Sequence, residues 1–424
     1  MWFRERRRSM QSTFEEFPRA FWTLVIVTFI DRLGGALLFP FFALYITGKF
    51  GVGMTQVGVL FAAFSFSSFL GTLLGGALSD RLGRKGMLIF SLISTSVSSV
   101  LMGLVDTLSL FFAIALLVGI FTDAGGPAYE AMVADLLPEE KRAQGYGILR
   151  VAFNLSVVIG PAVGGFLATR SYLALFLTDA VISLISASVV WRAMPETKPL
   201  SEGEAEHETI ATTFKGYGRV LRDNLFMLFI AASVLMGLVY MNMSTTLGVY
   251  LRDVHGLAES RYGWILSLNA LLVVLFQFPI TRRIQGRPPM LMMAAGAALY
   301  AIGFAMYGLV SLYVLFLLAM VIITIGEMLV APVSKAVVAS FAPEHMRGRY
   351  MAISGFSFGI PFAVGPLLAG IVLDTMQPAW LWYLSGMVGM LSVAGFLWLH
   401  RRTASAAGVL NHPPSPAAEP PISS

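Results

Sequence analysis

The sequence predicts an all-α integral membrane protein in which twelve transmembrane helices form two pseudo-symmetric six-helix bundles. Three observations lead to this fold class. Hydrophobic residues make up 57% of the 424 residues and charged residues only 12%, about half the charged fraction of a soluble domain. Apolar stretches long enough to cross a bilayer recur along the chain, with one long polar interruption. A segment of the first half also reappears in the second half.

The apolar stretches predict twelve spans, each reaching or exceeding the roughly 20 residues that a transmembrane helix needs. We number them spans 1 to 12 in chain order, at residues 20–46, 54–79, 86–106, 109–136, 143–169, 172–193, 225–251, 260–282, 289–310, 312–338, 347–373 and 378–400.

The polar interruption at 195–224 predicts a cytoplasmic linker between two bundles, 20–194 and 225–400. It contains PETKPLSEGEAEHETIATTFKGYGRV, the one long charged loop inside the chain. Residues 1–19 include RERRR and are expected to form an uncleaved basic segment at the cytoplasmic membrane surface. The Pro-rich tail at 401–424 is expected to be cytoplasmic and disordered.

The basic residues follow the positive-inside rule. If both termini are cytoplasmic, 22 of the 29 lysines and arginines fall in cytoplasmic segments and four fall outside. The net charge of +5 therefore reflects membrane topology, and no nucleic-acid partner is expected. The expected location is the bacterial inner membrane, crossed many times.

Two segments of the chain are copies of one another. PEEKRAQGYGILRVAFNLSVVIGPAVGG begins at Pro138, and PEHMRGRYMAISGFSFGIPFAVGPLLAG begins at Pro343, 205 residues later. The PExxR and GPxxxG positions match in register without a gap. Internal duplication of this kind is typical of secondary transporters.

The composition also excludes several kinds of chemistry. There is no cysteine, so disulfides, thiolate metal sites and cysteine nucleophiles are excluded. The five histidines are scattered, and no GxxxxGK[ST] phosphate-binding loop occurs. We therefore expect no metal and no cofactor, with a proton gradient as the energy source. The alternative of a membrane-embedded enzyme or receptor is not supported, because the sequence contains no recognisable catalytic dyad.

The loop GGALSDRLGRKGM (75–87) resembles the signature between spans 2 and 3 of the major facilitator superfamily. The matching positions include Gly76, Asp80, Arg81, Gly83 and Arg84. Glycine permits a tight turn, and the resemblance implies that the charged residues latch the two halves. The alternative is a basic loop that only sets topology.

GPAVGG, with Gly160, Pro161, Gly164 and Gly165, resembles the antiporter motif in span 5 of the same family. Small residues let helices approach closely, and proline bends a helix. The resemblance implies an exchanger, and ordinary tight packing is the alternative. Span 1 also resembles that of bacterial multidrug:proton antiporters, but the arginine usual in span 4 is absent. Arg150 and Arg32 are the candidates to replace it.

The acidic residues within spans are the candidates for proton coupling: Asp31, Asp123, Glu327 and Glu130. A charge at the bilayer centre costs roughly 2.5–3.5 kcal/mol on insertion scales, and burial raises the pKa of a carboxyl group. Asp31, Asp123 and Glu327 fall near the middle of spans 1, 4 and 10, which line the cavity in the family. Pairing with polar neighbours or backbone capping is the alternative for each. Asp179, in span 6, is expected to be structural.

Polar residues on other spans that are expected to face the cavity complete the predicted site. Substrate contacts are expected from Asn154, Tyr240, Asn242 and Asn269, and a conformational gate from Arg142 and Lys335 at the cytoplasmic side. These features predict a monomeric, proton-coupled exporter of amphipathic or cationic drugs that works by alternating access. The alternative is a transporter of the same fold with another cargo, such as a lysolipid, a sugar or a peptide.

Overall fold

The computed structural model describes residues 16–197, 217–343 and 346–410. Within these ranges it contains helices and connecting loops but no strand, and twelve helical stretches are long and apolar enough to cross a membrane. The predicted all-α, twelve-span fold is thus confirmed.

The observed spans lie within a few residues of the predicted ones. Spans 1 to 6 run over Arg19–Phe50, Met54–Leu82, Arg84–Leu104, Leu108–Leu136, Glu139–Arg170 and Tyr172–Ala193. Spans 7 to 12 run over Asn224–Thr245, Glu259–Ile284, Pro289–Tyr307, Tyr313–Phe341, Arg347–Thr375 and Ala379–Leu410. A short helix, Leu247–His255, follows span 7.

The three segments predicted outside the bundles are described only in part. Most of the basic segment 1–19 and of the linker 195–224 lies outside the described residues, as does the tail beyond residue 410. The prediction of a disordered tail from residue 401 is wrong up to Leu410, where span 12 continues as a helix. Arginine and alanine favour the helix there, and no proline interrupts it before residue 413.

Several of the predicted spans are interrupted, and in spans 1 and 4 a proline explains the interruption. Span 1 contains a 3₁₀ turn, Phe39–Phe41, around Pro40. Span 4 consists of Leu108–Asp123 and Gly125–Leu136, and the break follows Asp123 directly. Pro127 has no N–H with which to bond the carbonyl of Asp123, so the helical hydrogen-bond ladder fails at that point. The break places a carboxylate beside exposed backbone groups in the middle of a span.

The alternation of the spans gives the molecule two ends. We call the end with Arg84, Arg142 and Arg282 the basic face, and the end with Lys49 and Asp374 the distal face. Between the halves, span 2 packs on span 11 and span 5 packs on span 8.

Glycines make the contact between the halves close. An ideal Cβ on Gly58 would lie 2.3 Å from the backbone of Leu367, and one on Gly263 would lie 2.2 Å from the carbonyl of Pro161. Both glycines lie toward the distal ends of their spans. The halves are therefore pressed together toward the distal face.

Candidate functional site

Glu327 lies at the centre of a cluster of neutral polar groups. The Asn269 side-chain amide on span 8 donates hydrogen bonds to the Glu327 carboxylate at 2.8 Å and to the Thr324 hydroxyl at 3.0 Å. The Tyr240 phenol on span 7 approaches the same carboxylate. Asn269 and Thr324 are buried. The structure thus brings two predicted substrate residues, Tyr240 and Asn269, to the predicted coupling acid.

Close helix packing holds this cluster in place. Gly326 lets span 10 approach span 9, because an ideal Cβ there would lie 2.8 Å from the Gly296 carbonyl. The Tyr240 ring packs on Tyr300 of span 9, with ring centroids 5.4 Å apart. Neither Thr324 nor Tyr300 was predicted from the sequence. Thr324 could have been found, since it lies three residues before Glu327 and so on the same helical face.

Two further predicted substrate residues lie elsewhere. Asn154 is half-buried on span 5, one turn after Arg150, whose guanidinium interacts electrostatically with Glu327. Asn242 is buried and donates a hydrogen bond to Ser385 of span 12 at 3.2 Å. The amide of Asn242 therefore ties two spans together, and it does not join the cluster around Glu327.

Asp123 has a simpler environment in the other half. The Ser68 hydroxyl of span 2 donates a hydrogen bond to its carboxylate, and the Arg32 guanidinium interacts with it electrostatically. Ser68 was not predicted from the sequence, because one serine among several on span 2 carries no distinguishing pattern.

A cavity of about 580 Å³ opens within the N-terminal half. Four carboxylates line it, from Asp31, Asp123, Glu130 and Asp179, together with the guanidinium of Arg32. Its volume is typical of a small-molecule site, roughly 300–1,000 Å³. Its walls combine phenylalanines and leucines with serines and threonines. The cavity is therefore acidic, and it is large enough for an organic cation.

Glu130 and Asp31 differ in their partners. The Tyr146 hydroxyl donates a hydrogen bond to Glu130 at 3.0 Å, and both residues are exposed. Asp31 is half-buried and accepts no hydrogen bond from the residues that the structure describes. Asp31 thus presents its carboxylate to the cavity.

The loop between spans 2 and 3 is held within the N-terminal half. Arg84 forms an ion pair with Asp135 of span 4, and its backbone N–H donates to Glu196 at 2.9 Å. Gly83 adopts a φ of 92°, a conformation that side-chain-bearing residues rarely adopt. The loop signature therefore joins spans 3, 4 and 6 at the basic face.

The remaining predicted gate residues have varied environments. Arg142 donates to backbone carbonyls at the end of span 4, at 3.0 Å and 3.2 Å, and so caps that helix. Lys335 is exposed. The side chains of Asp80 and Arg81, and the surroundings of Gly76, lie outside the described part of the structure.

The antiporter motif forms two kinds of contact. Ideal Cβ atoms on Gly160 and Gly164 would lie 2.6 Å and 2.3 Å from atoms of span 1, whereas one on Gly165 would lie 2.8 Å from the Glu259 carbonyl of span 8. Its copy Gly370 makes the matching contact, 2.4 Å from the Met54 carbonyl of span 2. The motif is therefore a contact between the two halves as well as within one.

Two crossed caps, in which a side chain of one half caps a helix of the other half, close the distal face. The Asp374 carboxylate at the end of span 11 accepts hydrogen bonds from the backbone N–H groups of Met54 and Thr55, at 2.9 Å and 2.7 Å, where span 2 begins. The Thr169 hydroxyl at the end of span 5 accepts one from Ser260, at 3.2 Å, where span 8 begins. The first N–H groups of a helix need such partners. Thr169 and Asp374 are 205 residues apart, so the two caps are copies.

Further polar contacts strengthen this closure. Arg252 donates to the Leu44 carbonyl at 2.9 Å and to the Thr47 hydroxyl at 3.0 Å. The Tyr172 hydroxyl donates to Glu259 at 2.9 Å. The polar contacts described between the halves cluster at the distal face, so the cleft between them is closed at that end.

Comparison with known proteins places this architecture in a family. The family model for the Major Facilitator Superfamily matches residues 24–346 and, in a second match, residues 258–421. A "Na(+), Li(+), K(+)/H(+) antiporter" of Planococcus maritimus is 27% identical over 390 residues, covering 86% of this chain and 91% of the relative. The multidrug resistance protein MdtH of Shigella flexneri is 25% identical, covering 91% and 96%.

A solved structure shows the same fold. The crystal structure of the nucleoside transporter NupG superposes with a TM-score of 0.75 at 12% identity, covering 90% of this chain and 99% of that one. From the family match and the twelve observed spans, we conclude that the chain belongs to the Major Facilitator Superfamily and is a multi-pass membrane transporter of that family.

Proposed function

We propose that this transporter is a proton-coupled exchanger that exports amphipathic or cationic small molecules by alternating access. The observation that carries the proposal is the environment of Glu327. Its carboxylate lies at mid-depth in span 10 among neutral hydrogen-bond donors from Asn269 and Tyr240. An ionisable group at this depth in a membrane is costly, and such groups usually mark a functional site.

The charge of Glu327 links the two halves. Arg150 belongs to span 5 of the N-terminal half and interacts electrostatically with Glu327 of the C-terminal half. A proton on Glu327 removes this attraction, and its release restores it. Protonation therefore changes the interaction between the halves, which is what coupling to alternating access requires.

The N-terminal cavity is the proposed place for the cargo. Asp123, Asp31 and Glu130 give it negative charge, and its aromatic and aliphatic walls suit an amphipathic cation. A cation drawn in by ionised carboxylates is released when protons replace it. Alternating exposure of the same groups to the two sides turns this competition into exchange.

The orientation follows from the distribution of basic residues. We place the basic face and both termini in the cytoplasm of a bacterial inner membrane. In that orientation, closure of the distal face corresponds to a state closed to the exterior. The membrane potential then contributes about 2.3 kcal/mol for each net charge moved across 100 mV.

A second candidate function is exchange of a monovalent metal cation for protons. It is favoured by the four carboxylates of the cavity and by the cation/proton antiporter activity for which the Planococcus maritimus relative is named. Organic and inorganic cations are separated by asking which of them moves when a pH gradient is imposed. Competition with peptides, sugars and lysolipids examines the remaining cargo classes.

The deciding experiment is transport in proteoliposomes with an imposed pH gradient. Wild-type protein should drive uptake of an amphipathic cationic dye or of Na⁺, and Glu327→Gln should abolish the response to the gradient. The matched control is Glu140→Gln, since Glu140 is exposed at the basic face. The proposal fails if the gradient moves neither cargo, or if Glu327→Gln couples as well as wild type.

A further inference from the structure

Asp179 of span 6 has no part in the coupling scheme or in the proposed binding of an organic cation. It is only 4% exposed, and it lines the N-terminal cavity. The Ser99 hydroxyl of span 3 donates one hydrogen bond to it. No cation interacts with Asp179 among the described residues, and the charged group that does is another acid, Asp31. Buried charges are normally paired or coordinate an ion.

The backbone of span 1 is shaped to admit this carboxylate. An ideal Cβ on Gly34 would lie 2.5 Å from the nearer Asp179 carboxylate oxygen. Gly34 follows Asp31 by three residues, so both lie on one face of span 1. Asp31 and Asp179 therefore line the same part of the cavity and interact electrostatically, and Asp31 accepts no hydrogen bond from a described residue.

An independent feature of span 6 points to a ligand in the same part of the cavity. Ser183 lies one turn after Asp179, lines the cavity and is only 1% exposed. Its hydroxyl makes no hydrogen bond within the described part of the chain. Buried hydroxyl groups almost always have a partner. Ser183, one turn from Asp179 in the wall of the same cavity, is therefore left with an open bonding position.

We propose that Asp31, Asp179 and Ser183 form a binding site for a monovalent metal cation, with Na⁺ or Li⁺ as the preferred ion. The site lies between spans 1, 3 and 6, apart from the cluster around Glu327. It exists whether the exported cargo is a drug or an ion.

The choice of ion follows from the available ligands. The three side chains offer only carboxylate and hydroxyl oxygens, which suit hard cations. Calcium takes six to eight oxygens in its sites, usually from several carboxylates. Among the described residues, no group of three or more His, Cys, Asp or Glu side chains is placed to hold a metal. Two carboxylates and a hydroxyl supply fewer oxygens than a calcium site needs, so we assign the site to an ion of lower coordination demand.

Direct binding measurements examine the site without relying on transport. Purified full-length protein in lipid nanodiscs is titrated with ²²Na⁺ against a choline background. Wild type should bind Na⁺ saturably, and Asp31→Asn and Asp179→Asn should lower the affinity by at least about 100-fold. Ser183→Ala should lower it by about tenfold, the scale seen when supporting groups of metal sites are removed.

Two controls separate loss of the site from loss of the fold. Ser186→Ala removes another fully buried serine of span 6, one outside the cavity lining, and should leave Na⁺ affinity unchanged. Thermal unfolding and gel filtration identify variants that fail to fold, and Ser183→Ala decides the matter if the aspartate variants do fail. The proposal is overturned if wild type binds no Na⁺, or if folded Asp179→Asn or Ser183→Ala binds it as well as wild type. Failure of drug transport alone leaves Na⁺ binding in place, so the two proposals fail separately.

Discussion

Each half has a carboxylate on the equivalent span, but the surroundings of the two carboxylates differ. Asp123 lies on span 4 and accepts a hydrogen bond from Ser68 of span 2. Glu327 lies on span 10, the equivalent of span 4, and accepts one from Asn269 of span 8, the equivalent of span 2. The arrangement of acid and donor is therefore duplicated.

The surroundings of the two acids have diverged. Asp123 stands at a helix break in a cavity shared with three other carboxylates and Arg32. Glu327 sits on an unbroken helix, and Tyr240, Thr324 and Asn269 surround it with neutral groups. The proton on Glu327 is therefore exchanged among neutral hydrogen-bond donors, whereas Asp123 shares its cavity with other charged groups. This difference suits Glu327 to coupling and Asp123 to attracting cargo.

The largest expected effect comes from neutralising each acid in turn. Glu327→Gln should reduce exchange driven by a pH gradient by at least about 100-fold, and Asp123→Asn by about tenfold, within the range of coupling free energies between linked sites. Initial rates of dye transport in proteoliposomes measure both. The control is Asp106→Asn, which changes an exposed aspartate at the distal face. A larger loss of transport in Asp123→Asn than in Glu327→Gln would contradict the proposed division of roles.

The duplicated glycines of the distal contact give the next prediction. Gly370→Leu and Gly165→Leu place side chains where an ideal Cβ already lies 2.4 Å and 2.8 Å from backbone of the other half. Overlap with backbone is not relieved by side-chain rotation, so both variants should shift the population away from distal closure by about tenfold or more. Gly359→Leu, on the same span as Gly370 with nothing within 4 Å, is the control.

The state of the distal face can be measured directly in this chain. It contains no cysteine, so a pair of cysteines introduced at exposed positions 106 and 254 takes two spin labels without background. Electron–electron distances should lengthen in Gly370→Leu and Gly165→Leu and stay unchanged in Gly359→Leu. Unchanged distances in all three variants would show that the glycine contacts do not control opening of the distal face.

The crossed caps predict a smaller and unequal pair of effects. Asp374→Ala removes a charged acceptor of two backbone hydrogen bonds, whereas Thr169→Val removes a neutral acceptor of one. Loss of a helix cap costs about 0.5–2 kcal/mol, so Asp374→Ala should open the distal face about fivefold more often, and Thr169→Val by less than about twofold. The same spin-label distances report both, and equal effects would contradict the asymmetry.

The sequence revealed the repeating parts of this molecule better than its particular contacts. Hydropathy was enough to predict twelve spans. The 205-residue offset of the repeat takes Asp123 to position 328, one residue after Glu327, so the two acids lie at nearly equivalent positions. The caps at Asp374 and Thr169 were missed, because they join chain ends that are distant in sequence and their partners are backbone N–H groups. Asp179 was expected to be structural. Its close approach to Gly34 could not be predicted, because it arises only when spans 1 and 6 pack together.

The smallest expected effect compares the two hydrogen-bond donors. Ser68→Ala removes one hydrogen bond from Asp123, whose position also depends on Arg32 and the helix break. Asn269→Ala removes bonds to both Glu327 and Thr324. It leaves the Glu327 carboxylate with the Tyr240 phenol and the Thr324 hydroxyl with its bond to the Met320 carbonyl. A single hydrogen bond contributes about 1 kcal/mol, so transport rates should fall about two- to fivefold in Ser68→Ala and clearly more in Asn269→Ala, which loses two bonds.

Ser65→Ala, on the same span as Ser68, provides the baseline for this comparison. The Ser65 hydroxyl donates only to the Phe61 carbonyl of its own helix, at 2.7 Å, so its loss should leave transport close to wild type. If Ser68→Ala instead lowers the transport rate as much as Asn269→Ala does, the two acids depend equally on their hydrogen-bond donors. The division of roles between the halves must then rest on the cavity charges alone.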